Sequence, residues 1–391
     1  MTMPVLQPEF LALCHCVRLA VSLTTTSDAL RATGQMLQQV RDWDAFVAGA
    51  ARHRVDPLVL RGAALVAAGS IPDSAMRVLQ TRVRQGTLGG LKQLGELLRL
   101  LGELTAAGIP ALVIKGLPLS QKLYGDPFQR SAGDIDLLVP PDRYAEAHQV
   151  LISAGYLRLD SGDAVLPSRA VRSHSKDFSY RRGELVLELH VRLGEDLSSP
   201  EASFDVLWHR RDEVTLAGSP VACLGQADLL PYLLDHGARH GWDRLCWLAD
   251  IALLLRDPHQ RQSLDALPVA GRQIGHTLDL LHLWLGDGEE GQGLHTDPRR
   301  LDWFLAVFFA GRRWLDRPAR GSWPWLLREL RARRWRLYLA GGWRQGPHVL
   351  WQALLNPVDQ AVLPLPERWA FLYPLLRPLG WVLRNFGRRH P

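Results

Sequence analysis

The chain has 391 residues, 47% of them hydrophobic and 22% charged, with a formal net charge of +6 and a pI near 9.4. Length and composition exclude a single small module and a disordered polymer, and they predict a sizeable buried core divided over two or three domains. The basic excess permits an acidic partner such as a nucleotide, nucleic acid or lipid headgroup without demanding one, and it is concentrated where ten arginines between Arg312 and Arg344 face only Asp316 and Glu329.

Residues 1–100 place apolar clusters at helical spacing, among them Phe46, Val47, Ala50 and Ala51, and later Leu94, Leu97, Leu98 and Leu101. Asp44 and Asp56-Pro57 read as helix starts, because Asp caps and Pro tolerates the first turn. Cys14-His15-Cys16 reads as helix packing, since adjacent residues diverge on a helix and no second ligand pair follows. With Cys223 and Cys246 these are four scattered cysteines, too few for a disulfide framework, so a reducing, cytoplasmic setting is expected. No basic segment precedes the first apolar stretch, Glu9 interrupts it, and no run reaches the roughly 18 apolar residues of a spanning helix, so neither a signal peptide nor a membrane span is expected.

After Gly108-Ile109-Pro110 the pattern changes. Ala111 to Ile114 reads as a short strand, Lys115-Gly116 follows, and Leu117 to Tyr124 reads as a helix leading to a loop through Gly125 and Gly133. Asp134 to Val139 reads as a second strand, closed by Pro140-Pro141, and Asp142 as the cap of a helix that stops at Gly155. Residues 171–193 read as a hairpin turning at Arg181-Arg182-Gly183. In its second arm Glu184, Val186, Glu188, His190 and Arg192 share one face, and Leu185, Leu187, Leu189, Val191 and Leu193 the other. From about 222 the chain reverts to helix, and nine of the fourteen tryptophans lie from Trp303 onward among arginines and prolines. The sequence thus divides into an N-terminal helical region (1–100), an α/β core (101–222) and a C-terminal helical, Trp/Arg-rich region (223–391).

The chemistry concentrates in the middle region. Two carboxylates two residues apart on a strand, Asp134 and Asp136, point to one face and suit a divalent cation held against substrate phosphates. Lys115-Gly116 stands between strand and helix, where a missing side chain lets backbone amides approach phosphate oxygens. Glu188 lies on a polar strand face from which it can complete a three-carboxylate cluster beside His190, with Asp177 on the neighbouring arm an alternative that the hairpin register decides. His236 and His240, one helical turn apart, lack the Glu of a zinc-protease motif and read as structural or substrate-lining.

Val113-Ile114-Lys115-Gly116, Leu123-Tyr124, Arg130, Asp134-Ile135-Asp136-Leu137-Leu138-Val139, Gly155-Tyr156 and Leu187-Glu188-Leu189-His190 together resemble the nucleotidyltransferase superfamily related to DNA polymerase beta. In particular they resemble a family of bacterial proteins called uncharacterised nucleotidyltransferase-like, and the likeness continues through His236, His240, Trp242, Arg244, Leu245, Trp247 and Asp250. The resemblance implies an α+β fold, a small nucleotidyltransferase-type mixed sheet with helices, flanked by N-terminal and C-terminal helical regions. It implies Mg²⁺ or Mn²⁺ on Asp134, Asp136 and Glu188, with Glu188 as third metal ligand or general base. It also implies an NTP donor, expected to be ATP, with Lys115, Gly116, Arg130 and His190 around it, and Lys115 and Arg130 neutralising the β- and γ-phosphates. An oxygen acceptor on a small molecule, peptide or protein would attack the α-phosphorus and expel pyrophosphate. The chain departs from the superfamily pattern at Gly116-Leu117, where Gly-Ser or Gly-Gly is usual, and at Glu188, where the pattern has Asp. Those departures motivate the alternative of a degenerate nucleotide-binding or interaction protein. The basic segment 312–344 motivates a less favoured one, nucleic-acid binding; its default reading is a solvated basic face over a Trp-rich core.

Overall fold

The computed structural model describes residues 6–339 apart from 23, 131–132, 160–165, 168–174, 195–202, 268, 270, 287–293, 317 and 320–321, with a few isolated positions between 369 and 380. The first residues of the predicted hairpin, 171–174, and most of the proline-interrupted C-terminal stretch therefore lie outside the described residues. By internal contacts the chain forms two compact units. One takes Met1–Gly90, Leu123–Ser131 and Leu230–Gly342; the other takes Leu91–Lys122, Ala132–Leu229 and Trp343–Pro391. Helical residues from both sides of the α/β core thus share the first unit, and every described strand lies in the second.

Five helices open the chain: α1 (Pro8–Val21), α2 (Ser27–Gln38), α3 (Trp43–Arg52), α4 (Asp56–Ala63) and α5 (Asp73–Ala106). Side-chain oxygens set two of the starts, Thr26 accepting from the Ala29 amide and Asp42 from the Ala45 amide. The start predicted at Asp44 falls two residues late, because a capping carboxylate must stand outside the helix to reach an amide of its first turn, and Asp42 does so. Next come β1 (Leu112–Val113), α6 (Leu117–Tyr124), β2 (Ile135–Leu138), α7 (Tyr144–Ser153), β3 (Leu157–Arg158), β4 (Asp177–Arg182), β5 (Leu185–His190), α8 (Phe204–His209), β6 (Asp212–Leu216) and β7 (Ser219–Cys223). Asp142 falls in a short 3-10 turn, Pro141–Arg143, and α7 begins without a side-chain cap, while Gly155 with φ of 84° ends it as expected. The remaining helices are α9 (Gln226–Arg239), α10 (Leu245–Leu254), α11 (Pro258–Gln262), α12 (Gly271–Leu280, continued by a π-turn at Leu281–Leu285), α13 (Pro298–Phe308) and α14 (Trp323–Leu339).

The seven strands among the described residues form one mixed sheet in the order β3-β4-β5-β2-β1-β7-β6. β2 runs antiparallel to β1 and parallel to β5, and β1 runs parallel to β7. With neighbours on both sides, β2 buries all four of its residues, which explains its near-continuous apolar run and makes Asp136 the exception that must be paired. The hairpin turns at Gly183-Glu184, where Gly183 takes φ of 57°.

The helical unit is built around Phe10, fully buried, whose ring meets His53, Trp284, Phe309 and Trp314. Part of the arginine-rich segment is engaged inside this unit: Arg328 bonds Asp243 and lies over Phe308, and Arg334 lies over Trp303. Both arginines thus lie against aromatic rings of this unit. No helix among the described residues is long and apolar enough to cross a membrane, and the four cysteines are buried free thiols.

One buried group makes the stability of this unit pH-dependent. His276 on α12 is completely buried, sits edge-on against Phe304 and Trp335, and has no hydrogen-bond partner at either ring nitrogen among the described residues. Burial lowers its pKa from 6.5 to about 3. The folded state therefore keeps the ring neutral while the unfolded chain protonates it below pH 6.5. This contribution is fully present above that pH and is lost as pH falls, by up to about 1.4 kcal/mol per pH unit. Urea midpoints at pH 7.5 and 5 should separate more for the wild type than for His276→Phe, and equal separations would refute the assignment.

Candidate active site

The site grows from the short segment after β1. The Ile114 amide donates to the Asp136 carbonyl at 3.1 Å, tying the end of β1 to the middle of β2, and Lys115 emerges at that junction with only 9% of its surface exposed. Gly116 follows with φ of 81°, a conformation that side chains resist, and its carbonyl accepts the Ser120 amide at 3.0 Å to open α6. Leu117 is buried and adds no polar atom.

Register does the rest. In the parallel β2–β5 pair Asp136 stands opposite Glu188, and Leu138 opposite His190, so Asp136, Glu188 and His190 project from the same face of adjacent strands. One ligand atom from each of these three lies within 4.8 Å of the others. Lys115 Nζ lies 2.9 Å from Asp136 Oδ2, and His190 Nε2 lies 3.3 Å from Asp136 Oδ1 and 3.4 Å from Glu188 Oε2. On the other side of the imidazole, Asp177 Oδ2 is 3.8 Å from His190 Nδ1 and is also paired with Lys176.

Charge balance explains how a carboxylate survives inside a sheet. Burial alone would raise the Asp136 pKa, but the Lys115 ammonium and the His190 ring outweigh it and hold the carboxyl well below the usual carboxylate range. Burial likewise works against protonating His190, yet Asp136, Glu188 and Asp177 around it raise its pKa above the ordinary imidazole value.

The predicted residues fall into two groups. Lys115, Gly116, Asp136, Glu188 and His190 come together in the α/β unit. Asp134 joins through Lys115, whose Nζ is 3.7 Å from Asp134 Oδ2, and is not one of the three clustered ligands. The physical reason is that β2 begins at Ile135, one residue later than the sequence suggested, so Asp134 precedes the strand's pleat. Asp177 is held on the far nitrogen of His190, which leaves Glu188 as the acid beside Asp136. Arg130 belongs to the helical unit, where its Nε donates to Asp250 at 2.7 Å and Tyr124 Oη donates to the same carboxylate at 2.9 Å, with Asp250 completely buried. What sequence reasoning missed is the central place of His190, which alternation put on the polar face but did not put between two carboxylates.

Two carboxylates and an imidazole within reach of one point fit a divalent cation with mixed oxygen and nitrogen ligation, and the buried Lys115 ammonium places a positive charge next to it.

A family model described as an uncharacterised nucleotidyltransferase matches residues 39–281, a stretch that contains all seven strands. No curated protein matches the chain. Among solved structures, the solution structure of the antibiotic-resistance factor ANT(2'')-Ia is similar at 15% identity and a TM-score of 0.34, over 45% of this chain and 90% of that one.

Proposed function

The chain belongs to the uncharacterised nucleotidyltransferase family, and from that premise we propose that this enzyme moves an NMP from an NTP, with ATP as the expected donor, to an oxygen acceptor on a small molecule, peptide or protein, releasing pyrophosphate. The observation that carries the reading is Asp136: a fully buried carboxylate on a central strand, facing Glu188 and His190 and neutralised by Lys115. A bound Mg²⁺ or Mn²⁺ would draw charge from the triphosphate and from the attacking oxygen. Asp136 and Glu188 would hold it, with His190 as the nitrogen donor and Asp134 at the rim.

Lys115 then has a second task. In the absence of metal its ammonium neutralises Asp134 and Asp136; with their charge taken up by a cation, it is available to triphosphate oxygens beyond the α-phosphate. Gly116 presents the start of α6 to the same phosphates without a side chain in the way. Glu188, with 31% of its side chain exposed, is the acid placed to take a proton from an incoming hydroxyl. Arg130, held by Asp250 in the helical unit, is assigned to structure and not to the phosphates. The buried free thiols support a reducing, cytoplasmic setting.

The test measures nucleotide affinity and pyrophosphate release separately, with and without Mg²⁺ or Mn²⁺. Metal-dependent release is expected; affinity without release under every acceptor tried would move the protein to the degenerate, nucleotide-binding reading. Lys115→Ala should weaken ATP binding at least tenfold and AMP binding little, and equal weakening would place Lys115 near the base or ribose. Glu188→Gln should lower turnover more than nucleotide affinity, since a base acts on the chemical step; a pure affinity loss would make it a ligand only.

A further inference from the structure

Helix α14 carries apolar side chains on two opposite faces, and one of them belongs to the core of the helical unit. The inner face holds Trp335, which packs against His276 of α12 and Phe304 of α13, and Leu339, which is completely buried. On the outer face Trp323, Leu327 and Leu330 recur at steps of four and three residues, which stack them side by side over two turns. Their surfaces are 70%, 38% and 54% exposed. A single exposed leucine is ordinary, but an aligned tryptophan and two leucines form a continuous apolar strip. The strip starts in an ordered turn, because Ser322 Oγ accepts the Trp325 amide at 3.3 Å and Pro324 favours the first helical residues.

Charge indicates what the strip faces. The seventeen residues of α14 contain five arginines and one acid, Glu329. At about 100° per residue, Arg331 and Arg333 fall on opposite edges of the strip, and both are exposed. Arg334 prolongs the strip by one turn and lies over Trp303.

An apolar centre with cations along both edges suits a helix lying in the plane of a membrane. There the central side chains enter the acyl boundary, and both edges sit at the level of the headgroups. Tryptophan favours that boundary, with an apolar ring and one N–H for the wet side. A nucleic acid would engage the arginines and could stack on Trp323, but it has no use for Leu327 and Leu330. A protein groove that took the strip would need acids along both of its rims, whereas a sheet of anionic headgroups supplies negative charge at every position.

We propose that the outer face of α14 docks the protein on an anionic lipid surface, as a peripheral contact separate from nucleotidyl transfer and independent of its assignment. The test is sedimentation of the full-length protein with vesicles of phosphatidylcholine alone or mixed with phosphatidylglycerol, at low and at high salt. Binding at least tenfold tighter to the anionic vesicles is expected, weakening as salt rises. Each arginine near such a surface is worth roughly fivefold, so the double variant Arg331→Gln with Arg333→Gln should bind about twenty-fivefold more weakly. Trp323→Gln with Leu330→Gln should lose at least tenfold, Trp323→Phe should keep most of the affinity, and Lys115→Ala should bind as the wild type does. The four side chains replaced on α14 are exposed, so their loss should leave packing intact. The proposal is overturned by absent binding to anionic vesicles, by equal affinity for neutral and anionic ones, or by unchanged binding in either double variant. Oligonucleotides that displace the protein from vesicles would make the partner a nucleic acid, and a concentration-dependent dimer abolished by Trp323→Gln would make it a second copy; either outcome also overturns the lipid assignment.

Discussion

Asp136→Asn is expected to lower metal-dependent pyrophosphate release at least about a thousandfold, which corresponds to roughly 4 kcal/mol of transition-state stabilisation. The size follows from its position. Its side chain is completely buried, flanked by Lys115 at 2.9 Å and His190 at 3.3 Å, and opposite Glu188 on the parallel neighbour. An asparagine keeps the shape and loses the charge that every neighbour is arranged around. Removing one member of a buried ion pair ordinarily costs about 3–5 kcal/mol of stability. Here the cost should be smaller, because Lys115 keeps Asp134 at 3.7 Å and His190 keeps Glu188 at 3.4 Å. A cooperative melt close to wild type, with turnover gone, is therefore the expected pair of results. Asp134→Asn is the internal comparison: partly exposed and joined to the cluster through Lys115, it should cost roughly ten- to a hundredfold. Retention of more than a tenth of activity in Asp136→Asn, or a larger loss in Asp134→Asn, would mean that the centre of the site lies elsewhere.

That ranking of the two aspartates shows where reading the chain residue by residue reaches its end. Strand alternation is a local property, so the polar face carrying Glu188 and His190 was legible, as were the apolar run of β2 and the full extent of α6. Which residues meet across strands depends on register, and register is not local. The β4–β5 pairing that sets Asp177 opposite His190, and the β2–β5 pairing that sets Asp136 opposite Glu188, together decide which acid joins the site. The β6–β7 hairpin went unread because its turn is Ala217-Gly218, with φ of 49° and 81°; Ala is an unusual residue for the left-handed region and gives no turn signal. β3 has two residues and no pattern to detect. The sharing of one unit by helices from both sides of the core is likewise a matter of long-range packing, exemplified by the His53 ring against the Trp314 carbonyl at 2.8 Å.

Arg130→Ala is expected to cost about 3–5 kcal/mol of stability, because it leaves the Asp250 carboxylate buried without its cation. At roughly 2–4 °C per kcal/mol for a unit of this size, the melting temperature should fall by on the order of 10 °C. Burial raises the Asp250 pKa even in the wild type, against the pull of Arg130 and Tyr124. Without Arg130 that pKa rises further above its unfolded value, so the variant's deficit should grow as pH rises through the Asp250 titration and shrink in acid, where the carboxyl is neutral in both states. The double variant Arg130→Met with Asp250→Leu, which removes both charges and fills their volume, should recover part of the loss. A triphosphate ligand behaves differently: its removal would spare the melt and weaken ATP far more than AMP. Denaturant titrations at pH 5 and 8, run beside ATP and AMP affinities for the same variant, distinguish the two roles. A wild-type melt combined with selective loss of ATP would return Arg130 to the phosphates and leave Asp250 needing another counterion.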